Sequence, residues 1–377
     1  MIYKDFKGLK LSALGLGGMR FPTVDGDDKV IDEEKTAEMV DYALKNGINY
    51  FDTAWGYHGG NSEIVFGKIL KNYPRDSFYL ASKFPGYDTN NMSHAKEIFE
   101  KQLEKCQVDY FDFYLFHNVC DKNIELYLDR SYGVFDYLVE QKRKGRIKHL
   151  GFSAHCDCNV MKRFLDAYGS EIEFCQLQIN YIDWTFQKAK DKVELLKEWN
   201  IPVWVMEPVR GGKLAALSKE NAEKLKAFRP DASAPEWAFR FIQTIPEVKV
   251  CLSGMSNFQQ LEENVKIFGE DKKLSSEELE ALFSVAGNML GALPCTACHY
   301  CTSYCPQELD IPKLIELYNE HKFSEGGFIA PMYLSTLPGE KQPSACVGCR
   351  SCEAVCPQQI KISEAFADFT ALLNKED

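Results

Sequence analysis

Residues 32–54, "DEEKTAEMVDYALKNGINYFDTA", join an amphipathic stretch to a short apolar one, and this pairing sets the architecture. In the first part Ala37, Val40 and Leu44 fall on one helical face and Gly47 supplies the stop, so the spacing predicts a helix. The second part, "NYFDTA", carries aromatic and β-branched residues and reads as a strand. The same alternation runs to about residue 270. Its further strand candidates are "LSALGLGG", "FYLASKF", "FDFYLFH", "KHLGFSAH", "FCQLQINY", "PVWVMEP" and "KVCLSGMS". Helix-like stretches between them include "SHAKEIFEKQLEKC", "LYLDRSYGVFDYLVEQKRKG" and "SAPEWAFRFIQTI". Eight strands alternating with helices predict an α/β protein, a (β/α)8 TIM barrel. A doubly wound open sheet competes, but "GLGGMRF" after the first strand lacks the third glycine of a GxGxxG turn.

The 377 residues, 45% hydrophobic and 26% charged, can bury a sizeable core and fit two domains. The reading is a barrel over 1–270, a bridging helix over 271–293 and a cysteine-rich domain over 294–377. A net charge of -11 argues against a nucleic-acid surface, which needs concentrated basic residues. The sequence has no long apolar run, and "MIYKDFKGLKLSALGLGG" lacks a charged segment followed by an unbroken apolar one. The expectation is a cytoplasmic protein without a membrane partner.

Barrel enzymes build their sites from the C-terminal ends of the strands. Asp52 closes the second strand here, Lys83 the third, His117 the fourth, Ser153 and His155 the fifth, Gln178 the sixth, Glu207 the seventh and Ser253 the eighth. Asp52, Tyr57 in "FDTAWGYHGGNSE", Lys83 and His117 make a set suited to carbonyl chemistry. Reducing a carbonyl by hydride requires a proton donor at the developing alkoxide. A tyrosine titrates near ~10, and an adjacent ammonium favours its ionised form. Tyr57 is therefore the expected acid, with its pKa lowered by Lys83. Asp52 is the partner that fixes the lysine, and His117 a second donor that orients the carbonyl oxygen.

With these residues in this order the sequence resembles the aldo-keto reductase superfamily of (β/α)8 barrels, over about residues 1 to 270. The resemblance extends to "GFSAH", "QINY", "PVRGGKL" and "SGMSNFQQLEENV". It implies a nicotinamide cofactor, NADP(H) or NAD(H), and a small carbonyl or alcohol substrate. It also implies that Ser153 and Gln178 hydrogen-bond the carboxamide, that Gly211, Gly212 and Leu214 lie along the pyrophosphate, and that Ser256, Gln260 and Asn264 approach the adenosine. Gln260 stands where members that prefer the 2'-phosphorylated cofactor commonly place an arginine. Met206 stands where many place an aromatic ring. His155, Cys156 and Cys158 fit no common metal-ligand spacing.

Eight of the fourteen cysteines lie in two runs of C-x2-C-x2-C-x3-C-P: Cys295, Cys298, Cys301 and Cys305, then Cys346, Cys349, Cys352 and Cys356. This is the bacterial ferredoxin run, and it points to two [4Fe-4S] clusters. Zinc also binds four thiolates, but typically through two CxxC pairs. By resemblance to two-cluster ferredoxins, Cys356 would serve the first centre and Cys305 the second. Cys106, Cys120, Cys156, Cys158, Cys175 and Cys251 are expected to be buried small hydrophobes. "DIPKLIELYNEHKFSEGG" and "ISEAFADFTALL" predict a mainly helical ferredoxin-like domain, and Ser276 is the expected cap of the bridging helix. From residue 292 onward six basic and eleven acidic residues leave -5, a charge suited to a basic redox protein partner.

The leading reading is an aldo-keto reductase-type oxidoreductase linked to electron transfer through its clusters. A hydride carries two electrons and each cluster accepts one, so direct coupling needs a flavin or a radical-capable intermediary. No motif specifies a flavin, though a barrel mouth has room for one. The alternative is an electron-transfer iron-sulfur protein whose barrel is a docking or structural module; the intact Asp52, Tyr57, Lys83 and His117 weigh against it. A third reading keeps an ordinary reductase and lets the clusters only staple the C-terminus.

Overall fold

The computed structural model describes residues 1–291 and 293–375. Ala292, in the expected bridging segment, and Glu376 and Asp377, at the end of the expected iron-sulfur domain, lie outside the described residues. The chain divides into two compact units, Met1–Val285 and Ala286–Asp377.

In the first unit, β1 (Tyr3–Phe6) and β2 (Leu9–Ser12) form an antiparallel hairpin. Eight parallel strands follow: β3 (Leu14–Gly17), β4 (Tyr50–Asp52), β5 (Tyr79–Phe84), β6 (Phe111–Val119), β7 (Ile147–Ala154), β8 (Phe174–Gln178), β9 (Val203–Met206) and β10 (Val248–Ser253). They close into a barrel in chain order, with β10 returning to β3. The expected first strand, "LSALGLGG", is in fact two. The chain turns at Ala13, where Ser12 Oγ donates to Leu14 O at 2.7 Å and Ser12 N donates to Asn49 Oδ1 at 2.8 Å. Leu11 therefore belongs to the hairpin, which packs Phe6 and Leu11 against Tyr50, Phe113, Phe174 and Trp204 at the N-terminal end of the barrel. The Phe6 ring stands edge-on to Trp204 at 5.1 Å.

The helix over Glu33–Lys45 is capped by the Asp32 side chain, which accepts from Lys35 N at 3.1 Å, and Gly47 beyond it is left-handed at φ 86°. Its buried stripe is Thr36, Met39, Val40 and Ala43, so the face is rotated from the expected Ala37, Val40 and Leu44. Thr36 can go inside because its hydroxyl donates to Asp32 O at 2.7 Å within the helix. "LYLDRSYGVFDYLVEQKRKG" is not continuous. It breaks into Ile124–Leu128 and Val134–Arg143, because the Asp129 side chain accepts from Ser131 N at 2.9 Å and Gly133 turns left-handed. The helix Ser276–Leu290 is capped by Ser275 instead of Ser276. Ser275 Oγ accepts from Glu278 N at 3.3 Å and Glu278 Oε2 accepts from Ser275 N at 2.8 Å, a reciprocal capping box.

Among its described residues the second unit has helices and no strand. It is an internal repeat with the interval that separates Cys295 from Cys346. Ala297, His299 and Glu308 are left-handed (φ 52°, 61° and 51°), and so are their counterparts Gly348, Arg350 and Gln359 (69°, 59° and 53°). Glu308 N donates to Cys305 O at 2.9 Å, and Gln359 N to Cys356 O at 3.0 Å. Each half then runs into a long helix, Ile311–Ser324 or Ile362–Leu373, and the two helices share one core with Leu309, Ile360, Ile315 and Phe366. Of the six scattered cysteines, five are buried and Cys158 is half-buried. Among the described residues no helix is long and apolar enough to cross a membrane.

Candidate active site

The polar residues expected at the strand ends stand there. Asp52 and Gln178 end β4 and β8, Lys83 and Ser153 lie one residue inside β5 and β7, and His117 lies two residues inside β6. Lys83 Nζ donates to Asp52 Oδ1 at 2.5 Å, to Thr53 O at 2.8 Å and to Tyr57 OH at 3.4 Å. An ammonium has three donors, so all three are placed. Tyr57 opens a turn whose next residue, His58, is left-handed and buried. His58 Nε2 accepts from Phe21 N at 3.1 Å while Nδ1 faces Asp28 O at 2.6 Å, which ties Tyr57 to the loop after β3. The His117 ring stands perpendicular to Tyr57 at 6.0 Å and to Tyr87 at 5.2 Å.

Burial sets the protonation states. It pushes the Tyr57 phenol above its ordinary value; the Lys83 charge pulls the other way without cancelling it, and Asp52 and Glu207 add to the rise. This corrects the expected lowering, which weighed the ammonium and left out the loss of solvent. Tyr57 is thus a phenol with a proton to give. Burial works against a charged Lys83, yet Asp52 and Tyr57 hold its pKa above the usual lysine value. Burial, helped by Lys83 and His155, keeps His117 well below the ordinary histidine range, so it is a neutral imidazole.

Gly211, Gly212, Ser256, Gln260 and Asn264 line one groove of about 200 Å³, together with Arg20 and Glu207, whose side chains are 3.8 Å apart. Leu214, expected along the same path, is buried and does not line it. Gly211 and Gly212 are left-handed (φ 63° and 99°), the reason the chain needs glycine there. Successive left-handed glycines beside hydroxyl and amide side chains suit the phosphates and ribose of a dinucleotide. Ser153 Oγ accepts from Asn118 N at 2.8 Å, and Gln178 Nε2 donates to Asp183 Oδ2 at 2.8 Å.

Asp183 and Arg210 were not singled out from the sequence. Asp183 is wholly buried and forms an ion pair with Arg210 Nε at 3.0 Å. The available signal was an acidic residue inside the apolar, aromatic "YIDWTF", where a carboxylate needs a partner. Arg210 and Glu207 are left-handed (φ 47° and 55°), a conformation costing about 1–2 kcal/mol for each non-glycine residue. Tyr87 was also passed over; burial pushes its phenol up to about 12.

In the second unit, Cys301 and Cys352 are buried in the core, with Cys295, Cys305, Cys346 and Cys356 half-buried against it and Cys298 and Cys349 exposed. Burial raises the Cys295 and Cys301 thiols, and charge at Cys356 adds to both. Burial also takes Cys352 up to about 11, with Glu353, Cys346 and Cys305 adding. The fourth cysteine of each run therefore lies within electrostatic reach of the other run. Among the described residues no three His, Cys, Asp or Glu side chains are placed to hold a metal ion. A cubane gives each of its four irons one thiolate, so it asks for a wider spread of sulfur than a single ion does.

Residues 13–286 match the model of the aldo/keto reductase family, and residues 294–361 match a 4Fe-4S dicluster domain. The chain is 26% identical to the uncharacterized oxidoreductase YqkF of Bacillus subtilis, over 73% of this chain and 93% of that protein. It is 24% identical to the NADH-specific methylglyoxal reductase of Escherichia coli, over 73% and 96%. Among solved structures, the holo form of aldo-keto reductase AKR11C1 from Bacillus halodurans aligns with a TM-score of 0.62 at 26% identity, covering 76% of this chain and 96% of that one. These relatives are oxidoreductases matched across the whole barrel, and the family model takes in the tetrad and the groove alike: the chain belongs to the aldo/keto reductase family.

Proposed function

We propose that the barrel interconverts a small carbonyl compound and its alcohol by hydride transfer, with Tyr57 as proton donor, and that eight cysteines hold two [4Fe-4S] clusters linking this chemistry to single-electron transfer. The observation that carries the reading is Lys83 Nζ, 2.5 Å from Asp52 and 3.4 Å from Tyr57 at neighbouring strand ends. A nicotinamide, NAD(H) or NADP(H), would when bound supply the hydride chemistry. Tyr57 gives its proton to the oxygen as negative charge grows there, and Lys83 stabilises the phenolate left behind. Asp52 keeps Lys83 in place. Neutral His117 donates to the same oxygen and fixes its direction.

Support for the cofactor comes from the shared groove, where Gly211 and Gly212 would meet the pyrophosphate and Ser256, Gln260 and Asn264 the adenosine. Ser153 and Gln178 would hold the carboxamide from their strand ends. For the clusters, the reach of Cys356 toward Cys295 and Cys301, and of Cys305 toward Cys352, supports the crossed ligand sets. A two-electron donor and one-electron acceptors still need a converter between them, and a flavin is the cofactor class that fits. The -5 charge from residue 292 onward suits a basic protein partner for the electrons.

The test is anaerobic. The purified protein is mixed with NADH or NADPH and a panel of small aldehydes and ketones while cofactor oxidation and reduced-cluster EPR are followed together. Tyr57→Phe is expected to slow carbonyl reduction by about 10²–10⁴-fold. Undiminished turnover in that variant ends the reading.

A further inference from the structure

Asp183, in the short helix Asp183–Phe186 beyond β8, gathers groups from two separate parts of the site. Its Oδ2 accepts from Gln178 Nε2 at 2.8 Å and from Asn180 Nδ2 at 2.6 Å, and Arg210 Nε reaches Oδ1 and Oδ2 at 3.2 and 3.0 Å. Asn180 Nδ2 also donates to Glu207 O at 3.1 Å. One wholly buried carboxylate thus ties the end of β8 to the loop after β9.

That loop does not hold its shape for free. Glu207, Arg210, Gly211 and Gly212 are all left-handed, two of them without glycine's freedom. A conformation of this kind persists only where its surroundings over-determine it; Asp183 does so directly at Arg210, and at Glu207 O through Asn180, whose amide it holds. The same carboxylate fixes the Gln178 amide. A carboxylate only accepts, so Nε2 must face Asp183, and Oε1 remains as the acceptor the amide can offer a ligand.

We infer that Asp183 is a positioning residue: it latches the Glu207–Gly212 loop in its strained shape and turns the Gln178 amide so that the site presents an acceptor to a ligand N–H such as that of a nicotinamide carboxamide. The choice of ligand rests on the nicotinamide reading; the latch does not. Asp183 itself touches neither substrate nor cofactor.

The experiment compares full-length wild type, Asp183→Ala and Arg210→Gln, which removes the other half of the ion pair should the first variant fail to fold. Amide hydrogen exchange in a peptide covering residues 207–214 is expected to quicken about tenfold in either variant, the loss of one charged hydrogen bond's worth of protection, while the β5 and β6 peptides keep theirs. Unchanged exchange in this loop overturns the latch. The amide orientation is read by equilibrium binding of NADH against its 3-acetylpyridine analogue, which lacks the carboxamide N–H. Wild type is expected to favour NADH about tenfold, and Asp183→Ala to bring the ratio near one. A ratio that survives in Asp183→Ala overturns the orienting role. Wild type that binds neither these dinucleotides nor the NADPH pair measured alongside them ends the nicotinamide reading, and the exchange result then decides the latch alone.

Discussion

The ammonium of Lys83 stands 2.5 Å from Asp52 Oδ1, with the two side chains 1% and 5% exposed. A pair this deep costs more to break than to replace, because removing one partner strands the other charge without water. Lys83→Met is expected to destabilise the barrel by about 3 kcal/mol, and adding Asp52→Asn to recover most of that loss. Denaturant unfolding followed by tryptophan fluorescence checks this, since all five tryptophans lie within Met1–Val285. A double variant no more stable than the single one would show that the pair is not what holds these residues.

The raised pKa of Tyr57 fixes the sign of its pH dependence. With Tyr57 as the proposed donor, carbonyl reduction would need the phenol, so the rate should hold level through neutral pH and fall only in the alkaline range above the ordinary tyrosine value. Alcohol oxidation needs the phenolate and should rise with pH over the same range. Tyr57→Phe should lower both by about 10²–10⁴-fold. A reduction rate already falling between pH 7 and 8 would contradict the burial that governs this group.

Glu173 carries a separate pH signature at the far end of the barrel. Burial alone would raise its pKa, but hydrogen bonds from His149, Lys142 and Lys7 outweigh that and lower it from 4.5 to about 2. Because the folded value lies below the unfolded one, the stabilisation is complete above 4.5 and is lost as pH falls toward 2. Glu173→Gln should cost on the order of 2 kcal/mol at pH 7, after allowance for partial exposure, and nearly nothing at pH 2. Equal differences at both pH values would rule out the linkage.

The proposed crossed ligand sets predict which cysteines each substitution frees. After anaerobic reconstitution, Cys356→Ala should expose Cys295, Cys298 and Cys301 to alkylation while Cys305, Cys346, Cys349 and Cys352 stay protected. Cys305→Ala should do the converse. Mass spectrometry of the alkylated peptides reads the answer, and exposure of Cys346, Cys349 and Cys352 in Cys356→Ala would mean uncrossed sets.

What could be read from the sequence is what is local. Both cysteine runs carry their chemistry within a few residues, and the strand ends announce themselves because Asp52, Lys83 and His117 interrupt apolar runs. Other features depend on contacts that spacing does not encode. The break near Gly133 follows from one side-chain bond at Asp129, and the rotated face of the Glu33–Lys45 helix from a hydroxyl that Thr36 satisfies internally. The Asp183–Arg210 pair joins residues 27 positions apart, in connections that meet only once the barrel closes. The direction of the Tyr57 shift required its burial, which no motif states.

The hairpin packed into the N-terminal end of the barrel also bears on proton traffic. Phe6, Phe113 and Trp204 pack ring against ring below Tyr50 and floor the barrel with bulky side chains, while the tetrad stands at the opposite, C-terminal ends of the strands. On the proposed mechanism, the proton that Tyr57 gives up would be replaced from the mouth through which the carbonyl enters. Recharging the acid and exchanging product for substrate would then share one side of the barrel, and a slow-leaving alcohol would delay reprotonation as well as the next encounter.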